Sequence, residues 1–481
     1  MKEALWSAAE AAAATGGRAT ADFAATGVAI DSRNLDAGDL FVALKDVRDG
    51  HDFVAPAFAA GAAAALVSRI PEGLPEGAPL LVVEEPLAAL RGLAAAARAR
   101  TGAKVVAVTG SVGKTGTKEM LRACLSAEGR VHAAEKSFNN HWGAPLTLAR
   151  TPRGAEFVVM ELGMNHPGEI APLARLSRPD VAIVTTVEAV HLQNFESEEG
   201  IADAKAEIFE GVAAGGVAVL NADNRHFARL AAAAQGRGLR ILSFGSGPEA
   251  EARLEGARLT AHATVVRASL RGRPLVFKIG APGRHLALNA LAALAASEAM
   301  GVDLARAALA LGGWVPPEGR GSRWRIQLGG AGLDGYVTLI DESYNANPVS
   351  LRAALAVLGA AKPEDDVGRI AKGRRVAFLG DMLELGPTAE ALHAGLAASE
   401  EIAGADVIHT CGPLMRALHD ALPVERRGKW FRDSAEMAEQ AGRKLDAGDV
   451  AMVKGSLGSR MALVAEAIRR MGRAAPETGD A

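Results

Sequence analysis

The segment Thr109-Gly-Ser-Val-Gly-Lys-Thr115 carries the residue types that phosphate chemistry needs. It follows the apolar run Lys104-Val-Val-Ala-Val-Thr109, which reads as a buried strand, and precedes a helical run from Lys118 to Leu125. A glycine-rich turn between strand and helix lets backbone N–H groups approach phosphate oxygens, and the helix N-terminus adds partial positive charge. Gly110, Ser111, Val112, Gly113 and Gly116 are candidates for that cradle. Lys114 would neutralise β- and γ-phosphate charge, and the Thr115 hydroxyl would ligate Mg²⁺. The spacing is short, with two residues between Gly110 and Gly113 where the common form has four. The plain alternative is a strand-to-helix turn with an exposed lysine.

Three further side chains sit where phosphoryl transfer would need them. Glu161 ends the apolar run Glu156-Phe-Val-Val-Met-Glu161, and carboxylates at the C-terminal ends of parallel strands face the ligand crevice. It is a candidate Mg²⁺ ligand, or else a solvated carboxylate at a strand end. His191 follows the run Val181 to Thr185, and Lys205 lies fourteen residues further on, in Ala202-Asp-Ala-Lys-Ala-Glu-Ile208. Taken alone, His191 reads as an ordinary satisfied histidine and Lys205 as a solvated helix lysine.

These residues need a scaffold, and the chain is long enough to supply several. Its 481 residues are about three times a typical domain of roughly 150, so two to four domains are expected. Hydrophobic residues at 49% and charged residues at 23% exclude a disordered chain, and a net charge of -3 gives no basic field for nucleic acid. The two cysteines, Cys124 and Cys411, allow neither a disulfide framework nor a cysteine-rich zinc site, which fits a reducing cytoplasm. Residues 1–17 read as a capped helix ending at Gly16-Gly17, and no run is long enough to span a bilayer.

Strand-like runs alternate with helical ones from residue 104 to residue 244, the rhythm of a parallel sheet with crossover helices. A more polar β-like stretch over 253–279 precedes a helix from Arg284 to Met300. The Gly/Pro-rich run Gly312 to Arg320 is a candidate linker. Beyond it, Val337–Asp341, Arg375–Gly380, Val407–Thr410 and Val450–Val453 restart the alternation as a second, smaller open sheet. Lys362 to Arg375 reads as a solvated loop.

The phosphate loop, Asn139-Asn140-His-Trp-Gly143, Glu161-Leu-Gly-Met-Asn-His-Pro-Gly-Glu169, His191, Lys205, Asn289 and Arg320 together resemble the Mur ligases, ATP-dependent amide-bond ligases of bacterial cell-wall precursor synthesis. Asn165-His-Pro-Gly-Glu169 and Asp341-Glu-Ser-Tyr-Asn-Ala-Asn-Pro348 point to the branch that acts on D-alanyl-D-alanine. The resemblance runs from Asp31-Ser-Arg33 to Lys454-Gly-Ser-Leu-Gly-Ser-Arg-Met461, leaving about the last fifteen residues as an unmatched tail. It implies an α/β protein of three domains: a small UDP-sugar-binding domain (1–85), a central P-loop parallel-sheet ATPase (86–316) and a C-terminal Rossmann-like domain (317–481). It implies ATP, two Mg²⁺ ions, UDP-N-acetylmuramoyl-tripeptide and D-alanyl-D-alanine as ligands, and a monomer in the cytoplasm with no nucleic-acid or membrane partner.

The same resemblance distributes roles. Thr115 and Glu161 would hold one Mg²⁺, and His191 a second between γ-phosphate and the attacking carboxylate. The lysine matching Lys205 is carbamoylated in this family, with CO₂ as the source, so a carbamate would position that second metal. Asn289 would recognise adenine, Arg320 would reach phosphate when the C-terminal domain closes with 313–320 as hinge, and Asp341 or its neighbour Glu342 would meet the ribose. Ser32 and Arg33 match a turn near the uridine, and Asn139 and Asn140 a loop beside the substrate. Gly116, Glu342 and Asp46 depart from the family's usual residues without removing a required group. A third-residue ligase of this family would carry Asp-Asn-Pro-Arg, absent here, and a folylpolyglutamate synthase would place its phosphate loop nearer the N-terminus. A nucleotide switch built on the same P-loop core is the reading from another class.

Overall fold

The computed structural model describes residues 3–135, 137–189, 192–329, 335–367 and 371–477. Its strands form three substantial sheets in chain order. In the first, Gly27–Ala29, Asp39–Val42, Ala64–Val67 and Leu80–Val82 run parallel in sequence order, and Arg18–Ala19 closes the edge antiparallel. The helix Ala8–Thr15 before it is stopped at both ends by its own residues. Ser7 accepts from the Glu10 amide while Glu10 reaches back to the Ser7 amide, and Gly16 takes the left-handed turn at φ 67°.

The central sheet has nine strands, ordered Val131–Ala133, Phe157–Glu161, Lys104–Thr109, Val181–Val184, Val217–Asn221, Arg240–Gly245, Ala252–Leu259, Thr264–Leu270 and Arg273–Ile279. The first seven are parallel, and the last two join through successive antiparallel pairings. Alternation along each strand feeds two cores. Val106, Val108 and Ile183 face the helices Lys114–Ser126 and Arg284–Ala299, while Val105, Ala107 and Val184 face Ile170–Ser177 and Glu198–Ala206. Both faces are covered, so the strands are apolar runs without polar alternation. Each fully buried Val or Leu there contributes about 1.5–3 kcal/mol relative to an exposed one. The polar stretch after residue 252 differs for the same reason: its strands alternate buried and exposed residues because one face meets solvent.

The third sheet has seven strands, with Gly335–Glu342, Val450–Lys454, Arg375–Gly380, Val407–Cys411 and Arg427–Phe431 parallel. Ser322–Leu328 pairs antiparallel with Gly335–Glu342 on one side and with Arg473–Pro476 on the other. The expected tail is therefore partly an edge strand: backbone hydrogen bonds to residues 324–327 hold it, and these need no apolar pattern of its own. The expected solvated loop ends in docked arginines, Arg374 on buried Asp449 at 2.7 Å and Arg375 on Asp406 at 3.1 Å. Among the described residues, no helix is long and apolar enough to cross a membrane.

The N-terminal sheet is tied to the central one through the helix Pro86–Arg100, whose Leu90, Leu93 and Ala97 complete its apolar core. Trp6 Nε1 donates to Ala149 O at 3.0 Å, and the Arg100 guanidinium lies 3.9 Å from the Trp6 ring centroid.

Candidate active site

Chain order in the central sheet reverses around Lys104–Thr109: the following strands add on one side, then on the other. Ligands of open α/β sheets bind beyond the carboxyl ends of strands at such a switch point. The phosphate loop leaves that strand there and enters the helix Lys114–Ser126 through Gly113, at φ 86°. Gly110, at φ 148°, has no room for a side chain, because a Cβ would lie 1.9 Å from Thr185 Oγ1. Thr185 Oγ1 also donates to Val112 O at 2.6 Å, pinning the loop to the neighbouring strand's end. A Cβ on Gly113 would meet Asn289 Oδ1 at 2.9 Å, which puts the Asn289 side chain directly over the loop.

A cleft of about 650 Å³ opens here, lined by the central sheet's loops and by the third sheet's. Ser111, Val112, Gly113, Lys114, Thr115, Gly116, Asn139, Asn140, Glu161, Asn289 and Arg320 all line it, so most of the expected site residues converge. Lys114 Nζ is folded onto the loop, donating to Gly110 O at 2.6 Å. Burial lowers the Lys114 pKa, Glu161 opposes that shift and Arg320 adds to it. Arg320 Nη2 donates to Ser137 Oγ at 2.9 Å, and its guanidinium stacks 3.9 Å from the Tyr344 ring centroid.

Glu161 is buried, not solvated, at 1% exposure. Its Oε1 accepts from Asn139 Nδ2 at 2.7 Å and from Thr115 Oγ1 at 3.2 Å, whereas Oε2 is buried without a hydrogen-bond partner among the described residues. An orphaned carboxylate oxygen beside a threonine hydroxyl suits a hard divalent cation. No group of three His, Cys, Asp or Glu side chains among the described residues forms a metal cage. Mg²⁺ needs none, since it is commonly held by one or two side chains, substrate phosphates and water.

Lys205 is likewise buried, at 2% exposure, on the helix Glu198–Ala206 among Ile201, Ala202 and Ala204. No hydrogen bond from its amine is found among the described residues. Burial depresses its pKa well below the ordinary lysine value, and the charge on Lys114 pushes the same way. His191 lies outside the described residues.

Other expected positions fall elsewhere. Asp341 does not line the cleft: alternation along Gly335–Glu342 turns it away, where Oδ1 accepts from the Ser343 amide at 3.1 Å and Oδ2 lies 3.9 Å from Arg469. Glu342, one residue on, faces the cleft and pairs with Lys454 Nζ at 3.0 Å. Asn140, although in the cleft lining, spends its Oδ1 on the Gly143 amide at 2.9 Å, where the helix Gly143–Ala149 begins. Ser32 and Arg33 form a short turn away from the cleft, with Arg33 committed to Asp31 at 2.7 Å and 76% exposed. His285, Tyr344 and Lys454 carried no expected role, although all three line the cleft. His285 had a signal, since it lies four residues before Asn289 on one helix face. Burial lowers its pKa.

Comparison with known proteins agrees with this geometry. Residues 108–297 match the Mur ligase middle domain and residues 324–457 the Mur ligase glutamate ligase domain. The Escherichia coli UDP-N-acetylmuramoyl-tripeptide–D-alanyl-D-alanine ligase is 36% identical over 458 residues, covering 94% of this chain and 95% of that protein. The fold is similar to a crystal structure of MurF from Acinetobacter baumannii, with TM-score 0.80, 29% identity and coverage of 96% and 98%. It is also similar to the Thermotoga maritima MurF ligase in complex with ADP, with TM-score 0.72, 25% identity and coverage of 92% and 97%. The loop, the buried carboxylate and the matched domains together establish that this chain belongs to the Mur ligase family.

Proposed function

We propose that the protein joins D-alanyl-D-alanine to UDP-N-acetylmuramoyl-tripeptide in the cytoplasm, with ATP becoming ADP and phosphate. A carboxylate is a poor acylating agent, and phosphorylating the tripeptide's terminal carboxylate supplies the leaving group that the dipeptide amine displaces. Two anions, the carboxylate and the γ-phosphate, have to be brought together, so fixed cations must offset their repulsion. Lys114 meets the β- and γ-phosphates, and the loop amides from Gly110 to Gly116 cradle them. Thr115 and Glu161 would hold one Mg²⁺, and His191 with Lys205 a second; bound there, such ions would supply positive charge to offset that of the phosphates. Asn289 takes the adenine side of the nucleotide, Glu342 the ribose, and Arg320 a phosphate. The UDP-sugar falls to a domain over 1–85, the ATPase to 86–316 and the closing domain to 317–481, with Ser32 and Arg33 near the uridine and Asn139 and Asn140 near the tripeptide.

The observation that carries this reading is Lys205, buried without a described partner and with its pKa depressed by that burial. Only a neutral amine adds CO₂, releasing a proton, and the carbamate so formed would offer a second Mg²⁺ an anionic oxygen ligand. A cationic lysine there would repel the metal instead. The test is ATP-dependent phosphate release measured against a panel of amines. It should require both UDP-N-acetylmuramoyl-tripeptide and D-alanyl-D-alanine; release with glutamate or diaminopimelate, or with no amine at all, would overturn the reading.

A further inference from the structure

A second cavity of about 450 Å³ adjoins the cleft, between the loops at 187–189 and 223–225 on one side and the start of the helix Pro348–Ala360 on the other. Its volume lies within the roughly 300–1,000 Å³ of small-molecule sites. Glu188, Asp223, Asn224, Asn347 and Val349 line both spaces, so the cavity opens directly onto the phosphate cleft. Two cations line it, and they differ. Arg225 is already neutralised, paired with Glu198. Arg352, half-buried in the first turns of its helix, makes no ion pair or hydrogen bond among the described residues.

The acidic groups around it are mostly committed. Glu198 holds Arg225 and His226, and Asp223 accepts from the Ser246 amide and hydroxyl and from the Gly247 amide. Glu188, at the junction of the two spaces, has one contact to its carboxylate, Oε1 accepting from Thr186 Oγ1 at 3.1 Å. A carboxylate has capacity for further donors. The cavity therefore offers, among the described residues, an uncommitted guanidinium away from the cleft and a carboxylate where it meets the cleft.

A short zwitterion with its carboxylate and amine at opposite ends matches that polarity. We propose that this cavity is the subsite for the dipeptide nucleophile, resting on the ligase reading above, with Arg352 anchoring the dipeptide carboxylate and Glu188 receiving its amine at the edge of the phosphate cleft. An arginine fork pairs with a carboxylate through two parallel hydrogen bonds, which fixes direction as well as position. Anchoring the far end turns the amine toward the acyl carbon, and the amine is the end that must react. The subsite thus selects a free C-terminal carboxylate.

The test compares D-alanyl-D-alanine with D-alanyl-D-alaninamide in the full-length wild type, Arg352→Gln and Arg352→Lys, following phosphate release at saturating ATP and UDP-tripeptide. Arg352→Gln should raise KM for the dipeptide by about tenfold or more while KM for ATP stays within about twofold. In wild type the amide should be the poorer substrate by a similar factor, and Arg352→Gln should erase that preference. Arg352→Lys should restore part of it, since the charge returns without the fork. An unchanged dipeptide KM in Arg352→Gln, or equal use of acid and amide by wild type, would overturn the subsite while leaving the ligase reading intact. A wild type with no dipeptide-dependent turnover would remove the ligase reading and the subsite with it.

Discussion

The central and C-terminal sheets are built alike, as parallel strands whose carboxyl ends meet across one cleft, yet they treat polar groups at those ends differently. On the central side Glu161 Oε2 is buried without a described partner, and the Lys205 side chain is buried close by in the same sheet's helix layer. On the C-terminal side three cleft-end groups are satisfied by the protein, although Ser322 Oγ, opposite Asp341, is buried without a described partner. Lys454 Nζ meets Glu342 and Asn345 O, each at 3.0 Å, Asp381 Oδ1 accepts from the Met415 amide at 2.7 Å, and Ser456 Oγ donates to Ala346 O at 3.1 Å. Leaving a buried polar group unpaired costs about 1–3 kcal/mol, more if charged. A fold carries that cost where a ligand will relieve it. On the function proposed above, phosphate and metal chemistry would fall to the central edge and positioning to the C-terminal one.

The largest effect should come from the loop itself. Lys114→Ala should lower turnover by at least about a thousandfold, because the phosphates lose their nearest fixed cation. The fold should survive, since the lysine's own hydrogen bonds go to loop carbonyls. Retention of more than about a tenth of the wild-type rate, a barrier change under ~1.4 kcal/mol, would remove Lys114 from the chemistry.

Lys205→Ala should come close behind, and acetate separates its possible roles. If a carbamate's oxygens are what the site uses, truncation leaves space that a short carboxylate can fill beside the cation, and activity should partly return with added acetate. Rescue by methylamine but not by acetate would mean that the group acts as an ammonium. Full activity in the Ala variant would make its burial a packing accident.

Arg320 tests the C-terminal side of the comparison. It reaches across to Ser137 and stacks on Tyr344, so Arg320→Ala should cost about ten- to a hundredfold in kcat/KM for ATP, less than either central lysine. Arg320→Lys should recover only part, because the planar fork and the stacking are lost. A loss as large as that of Lys114→Ala would place reaction chemistry on both edges and break the contrast.

How much of this could be read from the sequence follows from how local each feature is. Lys104–Thr109 and Arg375–Gly380 were legible to the residue, because a strand covered on both faces is written as a continuous apolar run. Ser322–Leu328 was not, since its burial is confined to Ile326 and its partners supply the order. The phosphate loop was visible because its glycines and lysine lie within a few residues. Lys205 needed the family resemblance: a lysine among Ala and Glu looks solvated, and its burial arises from packing between elements distant in sequence. Asp341 and Glu342 could not be told apart until the strand's pleat was fixed. The convergence of His285, Tyr344 and Lys454 joins three distant segments, and no local pattern announces it.

The smallest expected effect concerns stability and isolates the C-terminal sheet. His409 lies inside it, stacked on Phe378 with ring centroids 5.2 Å apart, and its Nδ1 accepts from the Lys429 amide at 2.8 Å. Burial first, then the nearby Lys444 charge, lowers its pKa from 6.5 to about 4. The unfolded chain therefore binds a proton between these values while the folded protein does not, so this group's contribution to stability is complete above the unfolded pKa and declines as pH falls toward 4. Between pH 7 and pH 5.5 the decline should be about 1 kcal/mol. His409→Asn keeps an acceptor for the Lys429 amide without a titrating group. The difference between the two proteins' unfolding free energies should accordingly shrink by that amount over the same interval, with the variant gaining on the wild type in acid. Parallel pH curves would mean that His409 takes up its proton equally in the folded and unfolded protein, and would remove burial as the cause of its lowered pKa.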